Sequence, residues 1–216
     1  MTPQETLVRA LVHGDASVRL RAALAAGTSP DPGYVDTLVA RCAVEPDFSV
    51  REMLTWALIR QSPASTVPLV VAQLRSGRAQ ARSQALHTLS KIQDPRTWPA
   101  ITRELLTDPD DEVARAAWRT AVGLAPEGER LALAEVLVTQ LGRGSREVQL
   151  SLSRALIGLG EVMLPALQDS LEAPDPLVRH HAVATQRLLR DPEAGFELAV
   201  EAAKRVVALG GHSPEG

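Results

Sequence analysis

Six times along this 216-residue chain the same short pattern returns, and its spacing limits the fold more than any other feature. A Val or Ala opens an apolar stretch at Val18, Val50, Ala81, Val113, Val148 and Val178, at intervals of 32, 31, 32, 35 and 30 residues. Seven residues before each anchor stands Leu11, Ala43, Leu74, Leu106, Leu141 or Leu171. Eleven before stands Leu7, Val39, Val70, Thr102, Leu137 or Leu167, and four after stands Ala22, Leu54, Ala85, Ala117, Leu152 or Ala182. Self-similarity at such a period marks an array of one supersecondary unit, because each unit buries its apolar face only against its neighbours.

The offsets −11 and −7, and then 0, +4, +7 or +8 and +11, follow helical rather than strand spacing. Each unit therefore reads as two antiparallel helices. Asp15, Asp47, Asp110, Ser145 and Asp175 each stand three residues before an anchor, where a short polar side chain caps an otherwise unpaired backbone N–H. The third unit has Arg78 at that place, with Ser76 as an earlier cap. Gly27, Ser62-Pro63, Asp94-Pro95, Pro126, Gly160 and Asp191-Pro192 end the second helices. The expectation is an all-α, right-handed α-solenoid of about six hairpins over 3–29, 32–62, 64–93, 95–125, 127–159 and 161–190. A capping helix over 193–209 would close a single array over 1–210, with a disordered tail over 211–216. First helices are expected over 4–12, 33–44, 64–75, 96–107, 127–141 and 161–172. Aromatics make up only 3% of the chain, so the core must be built from Leu, Val and Ala.

The segments Asp15-Ala-Ser-Val18-Arg19-Leu-Arg-Ala22, Asp47-Phe-Ser-Val50-Arg51 and Asp175-Pro-Leu-Val178-Arg179-His-His-Ala182 resemble the second helix of a HEAT repeat. The short repeat is similar to the bacterial HEAT-like class that includes phycobilisome lyases and many scaffold proteins. Units four and five depart, with Ala114 and Gln149 where the family prefers Arg. The resemblance implies that the second helices line a concave face. It also implies that Arg19, Arg51, Arg82 and Arg179 form a structural ladder with Asp residues of neighbouring units.

Signals for catalysis are weak. Gly158-Leu-Gly160 lacks the third glycine and the preceding strand of a dinucleotide fingerprint, and there is no P-loop. His180 and His181 are adjacent, so on a helix they diverge by about 100° and cannot share a metal on one face; they read as two partly exposed surface histidines. No His is followed by Glu, unlike the HEAT-type hydroxylases that hold iron through His-Glu pairs. Cys42, the only cysteine, reads as a core residue in a reducing cytoplasm. The expectation is a protein that is not an enzyme and uses neither cofactor nor metal.

Charge is segregated between the two helix sets. The twelve residues from each anchor onward hold 11 basic residues and one acid, Glu52, although the whole chain is net −3. Positions +2, +6 and +9 point away from a core at 0, +4, +7 and +11. They carry Trp56, His87, Arg119 and Arg154 at +6, Arg115 and His180 at +2, and Arg187 at +9. Arg and Trp are the residue types most enriched at binding hot spots. These seven residues are the candidate ridge, and the first expectation is a cytoplasmic scaffold gripping an acidic protein segment. Trp118, one residue off the ridge, reads as a packing residue.

Two other readings compete. A groove holding Trp56, His87 and Trp118 would suit a small apolar ligand. HEAT-like alkylpurine DNA glycosylases have similar length and line their groove with basic and aromatic residues, which makes nucleic acid the second choice. An acidic pI near 6.0 and the lack of an aspartate on the ridge count against it.

Overall fold

Five of the six second helices begin at a side-chain cap. In the computed structural model, which describes residues 2–191, 200, 201 and 204, the Asp15 carboxylate accepts from the Ser17 N–H at 2.8 Å. Asp47 accepts from Val50 at 3.0 Å, Asp110 from Glu112 at 3.0 Å, and Asp175 from Leu177 at 2.8 Å. The Ser145 hydroxyl accepts from Val148 at 3.5 Å. Arg78 caps nothing with its side chain, and the Ser76 hydroxyl accepts the Arg78 N–H instead.

The chain divides into two compact units, Met1–Leu124 and Ala125–Gly216, the boundary falling at the end of the fourth hairpin. The first unit runs through α1 (Pro3–Leu11), α2 (Ala16–Thr28), α3 (Val35–Cys42), α4 (Phe48–Arg60), α5 (Pro63–Gln73), α6 (Ala79–Ile92), α7 (Arg103–Leu106) and α8 (Asp111–Leu124). The second holds α9 (Arg130–Val138), α10 (Arg146–Gly158), α11 (Leu164–Gln168) and α12 (Pro176–Arg190). There is no strand among the described residues. The fold is that of an α-solenoid, as the repeat requires.

The core follows the repeat register closely. The +4 residues Ala22, Leu54, Ala85, Ala117, Leu152 and Ala182 are all buried. So are Leu7, Val39, Val70, Leu137 and Leu167 at −11. Thr102, the polar residue at that place in unit four, is exposed. The anchors Val18 and Val178 are only half-buried.

Two first helices are not continuous. In place of a helix over 96–107 the chain forms a 3-10 turn, Pro95–Ala100, and then the four-residue α7. In place of 161–172 it forms α11 flanked by 3-10 turns, Gly160–Met163 and Asp169–Glu172. Pro99 and Pro165 each remove the N–H that would bond four residues back, and each ring crowds that carbonyl. The helix expected over 193–209 and the tail over 211–216 lie outside the described residues, apart from Val200, Glu201 and Lys204. Val200 is buried with Ala184 and Leu188.

In the first unit the second helices do not stack evenly. α2 packs extensively on α4 and α6 on α8, while α4 and α6 meet over a smaller area. The arginine ladder follows the same alternation. Arg19 grips Glu45 through Nε at 2.8 Å and Nη2 at 2.7 Å. Arg82 grips Asp108 through Nε at 2.9 Å and Nη2 at 3.1 Å. The acceptor is thus an acid five residues before the next anchor: for Arg82 an Asp of the neighbouring unit, as the resemblance implied, and for Arg19 a Glu in its place. Unit three has Ser76 at that place, so Arg51 turns back to the carbonyls of Glu45 and Pro46. Gln80 spans the gap, donating to the carbonyls of Cys42 at 3.0 Å and Glu45 at 2.7 Å. In the second unit Arg179 likewise donates to Ala173 and Pro174 carbonyls.

Candidate interaction face

The +6 positions of α2, α4, α6 and α8 hold Leu24, Trp56, His87 and Arg119. Leu24, Trp56 and Arg119 are exposed, and Ile59 is exposed beside Trp56 one helical turn on. The Trp56 ring, 37% exposed, lies over Gly27 of α2. A Cβ on Gly27 would stand 2.2 Å from Trp56 Cζ3, so only glycine lets the ring lie down there. The ring is therefore seated against α2 at Gly27 while part of it stays open to solvent.

His87 is less exposed than the other +6 residues. Its Nε2 is 3.3 Å from Glu52 Oε1, within ion-pair reach but without the alignment of a hydrogen bond. Burial holds its pKa below the usual imidazole value; Glu52 pulls it upward, and Arg119 and Lys91 push it down again. Arg115 pairs with Glu112 at 2.9 Å. Arg119 makes no hydrogen bond or ion pair among the described residues and is an uncommitted cation of this face. It adjoins Trp118, which points the other way: Trp118 is fully buried and its Nε1 donates to the Leu106 carbonyl at 2.8 Å. Trp118 is thus a core residue and does not line a ligand groove.

In the second unit Arg154 is exposed on α10, and His180 and Arg187 are half-buried on α12. The pair His180 and His181 splits. The expectation of two surface histidines fails for His181, which is buried. Gly142, with φ at +80°, presents its N–H to His181 Nδ1 at 3.0 Å. That bond puts the ring proton on Nε2, which lies 2.9 Å from the Gln149 carbonyl and 3.0 Å from Ser153 Oγ. Ser153 continues to Thr185 at 2.8 Å. Helical periodicity places position 181 one step short of the core residue Ala182, so only its neighbours reveal it as a buried polar tie.

Burial pushes the His181 pKa down to about 4, opposed by its bond to the Gln149 carbonyl. A histidine whose folded pKa is lowered contributes stability above its unfolded pKa, roughly 6.5, and loses it as pH falls through the folded value. Unfolding of the wild type is expected to become easier between pH 6.5 and about 4, by up to roughly tenfold in the folded-to-unfolded ratio per pH unit. His181→Gln should flatten that dependence, and urea titrations at stepped pH measure it.

Cys42 is buried, and burial pushes its thiol up to about 12, which removes it as a nucleophile at neutral pH. No group of three or more His, Cys, Asp or Glu among the described residues is arranged to hold a metal ion. Among the described residues no single helix is long and apolar enough to cross a membrane.

An array of capped helical hairpins defines the class of the protein, an α-solenoid. Residues 43–122 match the family model for HEAT repeats, so the resemblance carried by the anchor segments holds over this stretch. Three solved structures are similar to the chain. An engineered protein is 22% identical, covering 94% of this chain and 98% of its own, with a TM-score of 0.48. The complex of CpcE and CpcF of phycocyanin lyase from Nostoc sp. PCC7120 is 19% identical over 94% and 86%, with a TM-score of 0.49. Human deoxyhypusine hydroxylase is 18% identical over 94% of each chain, with a TM-score of 0.47. No curated protein matches.

Proposed function

We propose that the protein is a non-enzymatic cytoplasmic scaffold and that the basic, concave face lined by the second helices binds an acidic protein segment. The observation that carries this reading is the presence on one face of Trp56, seated on Gly27 yet partly exposed, and the uncommitted Arg119. Leu24, Trp56 and Ile59 form an apolar stretch at the α2–α4 end. Toward α8 the face turns basic through Arg115 and Arg119, with Lys91 exposed on α6. An extended segment with one apolar residue followed by carboxylates matches that order. Trp56 would take the apolar side chain and Arg119 a carboxylate, bidentately. In the second unit Arg154, His180 and Arg187 are the corresponding candidates.

The test is affinity capture with wild type and with Trp56→Ala/Arg119→Glu, followed by titration of acidic peptides taken from the captured proteins. Hot-spot losses predict at least about 30-fold weaker binding by the double variant. Equal capture by both proteins would remove the face from consideration. Tight binding of duplex DNA whose affinity falls steeply with salt would replace the acidic segment with nucleic acid.

A further inference from the structure

The seam between α4 and α6 lacks the ties that close the seams on either side of it. At α2–α4 the Arg19 fork holds Glu45, and Gln61 Nε2 donates to the Ala26 carbonyl at 3.0 Å. At α6–α8 the Arg82 fork holds Asp108. There the Thr120 hydroxyl shares its proton between the Ala116 carbonyl of its own helix, at 2.7 Å, and the Leu86 carbonyl of α6, at 2.9 Å. Arg51 and Thr88 hold the matching places at the α4–α6 seam. Arg51 Nη1 is seated on two carbonyls of its own loop, as Arg19 Nη1 is, yet its Nε and Nη2 make no hydrogen bond among the described residues. Thr88 bonds back to the Gln84 carbonyl of its own helix at 2.8 Å and does not reach across.

One residue accounts for the missing rung. Where units two and four have Glu45 and Asp108, unit three has Ser76. All three accept the N–H two residues on, from Asp47 at 2.9 Å, Asp110 at 2.9 Å and Arg78 at 3.2 Å. The acids also offer charged oxygens to the arginine of the preceding unit; a hydroxyl does not. The packing follows suit. α4 and α6 meet over a smaller area than their neighbours do. A cavity of about 10 Å³ remains among Leu58, Ala81, Ala85 and Thr88. Gln84 Oε1 and His87 Nε2 are buried on α6 without a hydrogen-bond partner among the described residues. Gln80 pins the start of α6 to the Cys42 and Glu45 carbonyls, so the helix is held at its N-terminal end. An array whose stability is a sum over neighbouring interfaces yields first at the weakest one.

We propose that the α4–α6 seam is a hinge: α1–α4 and α5–α8 move as two bodies about Gln80, opening and closing at the C-terminal ends of α4 and α6. Trp56 lies on one side and Arg119 on the other, so the hinge sets their separation. It stands whether or not that face binds an acidic segment, because its test contains no partner. Thr28, Arg60, Lys91 and Gly123 are exposed and stand ten residues after the anchors of α2, α4, α6 and α8. Cysteine pairs replacing Thr28/Arg60, Arg60/Lys91 and Lys91/Gly123 carry nitroxide labels, and dipolar broadening gives the distance distribution across each seam. Cys42 is buried and escapes labelling. The Arg60/Lys91 distribution is expected to be the broadest of the three. Ser76→Asp keeps an acceptor for the Arg78 N–H and gives Arg51 a carboxylate. It should narrow that distribution to the width of the other two and raise the folded-to-unfolded ratio by up to about fivefold. Ser76→Asn, without the charge, should leave the distribution broad. Three equal widths in the wild type overturn the proposal. So does Ser76→Asp stabilising the fold while the Arg60/Lys91 distribution stays as broad as before.

Discussion

Replacing Glu45 with alanine is expected to destabilise the protein by about 3–5 kcal/mol, the cost of breaking a buried ion pair by removing one partner. Glu45 is fully buried and accepts from Arg19 Nε and Nη2 at 2.8 and 2.7 Å, from Arg41 Nε at 2.7 Å, and from the Asp47 N–H at 2.9 Å. Truncation leaves two guanidinium groups facing each other without the carboxylate between them. Burial alone would raise the Glu45 pKa; the bonds from Arg19, the Asp47 backbone and Arg41 outweigh it and hold the carboxyl at about 2. A carboxylate with a lowered folded pKa contributes fully above its unfolded value, about 4.3, and loses that contribution as pH falls through the folded one. Wild type should therefore lose stability more steeply between pH 4.3 and about 2 than Glu45→Gln does. Urea unfolding at pH 7 and across this window measures both. Parallel acid limbs for the two proteins would show that Glu45 is not the group titrating.

Trp118→Ala is expected to cost about 3–5 kcal/mol, because it removes the largest fully buried side chain and leaves a cavity in α8's core face. The milder Trp118→Phe keeps most of the volume and loses the 2.8 Å bond to the Leu106 carbonyl, so about 1–3 kcal/mol is expected from the unpaired acceptor. Denaturant midpoints at constant slope separate the two effects. A loss under about 1 kcal/mol for the alanine variant would mean that the surrounding helices close over the gap.

Both residues show how far the sequence could be read. Trp118 was legible as a packing residue because it stands one residue off the ridge, which helical rotation turns toward the neighbouring helices. Glu45 was not singled out, although a signal existed: an acid five residues before an anchor occurs in units two and four, at Glu45 and Asp108. Those are the units whose second helices pack closely on the preceding ones. The resemblance pointed to Asp residues of neighbouring units without saying which, and it fits Arg82 on Asp108 but not Arg19 on Glu45. Among the candidate face residues, Trp56 and Arg119 were findable from register, while the seat that Gly27 provides for the ring was not.

The sequence by itself determined the hairpins, their caps, the faces turned to the core and the class of fold, since all of these follow from helical period and local backbone hydrogen bonding. Only the tertiary structure decided which arginines find carboxylates, that His181 is buried while His180 is not, and that α4 and α6 meet over a smaller area than their neighbours. The physical reason is that these depend on the distance and rotation between neighbouring helices. Those are set jointly by side chains about thirty residues apart, Gly27 beneath Trp56 and Glu45 against Arg19 among them.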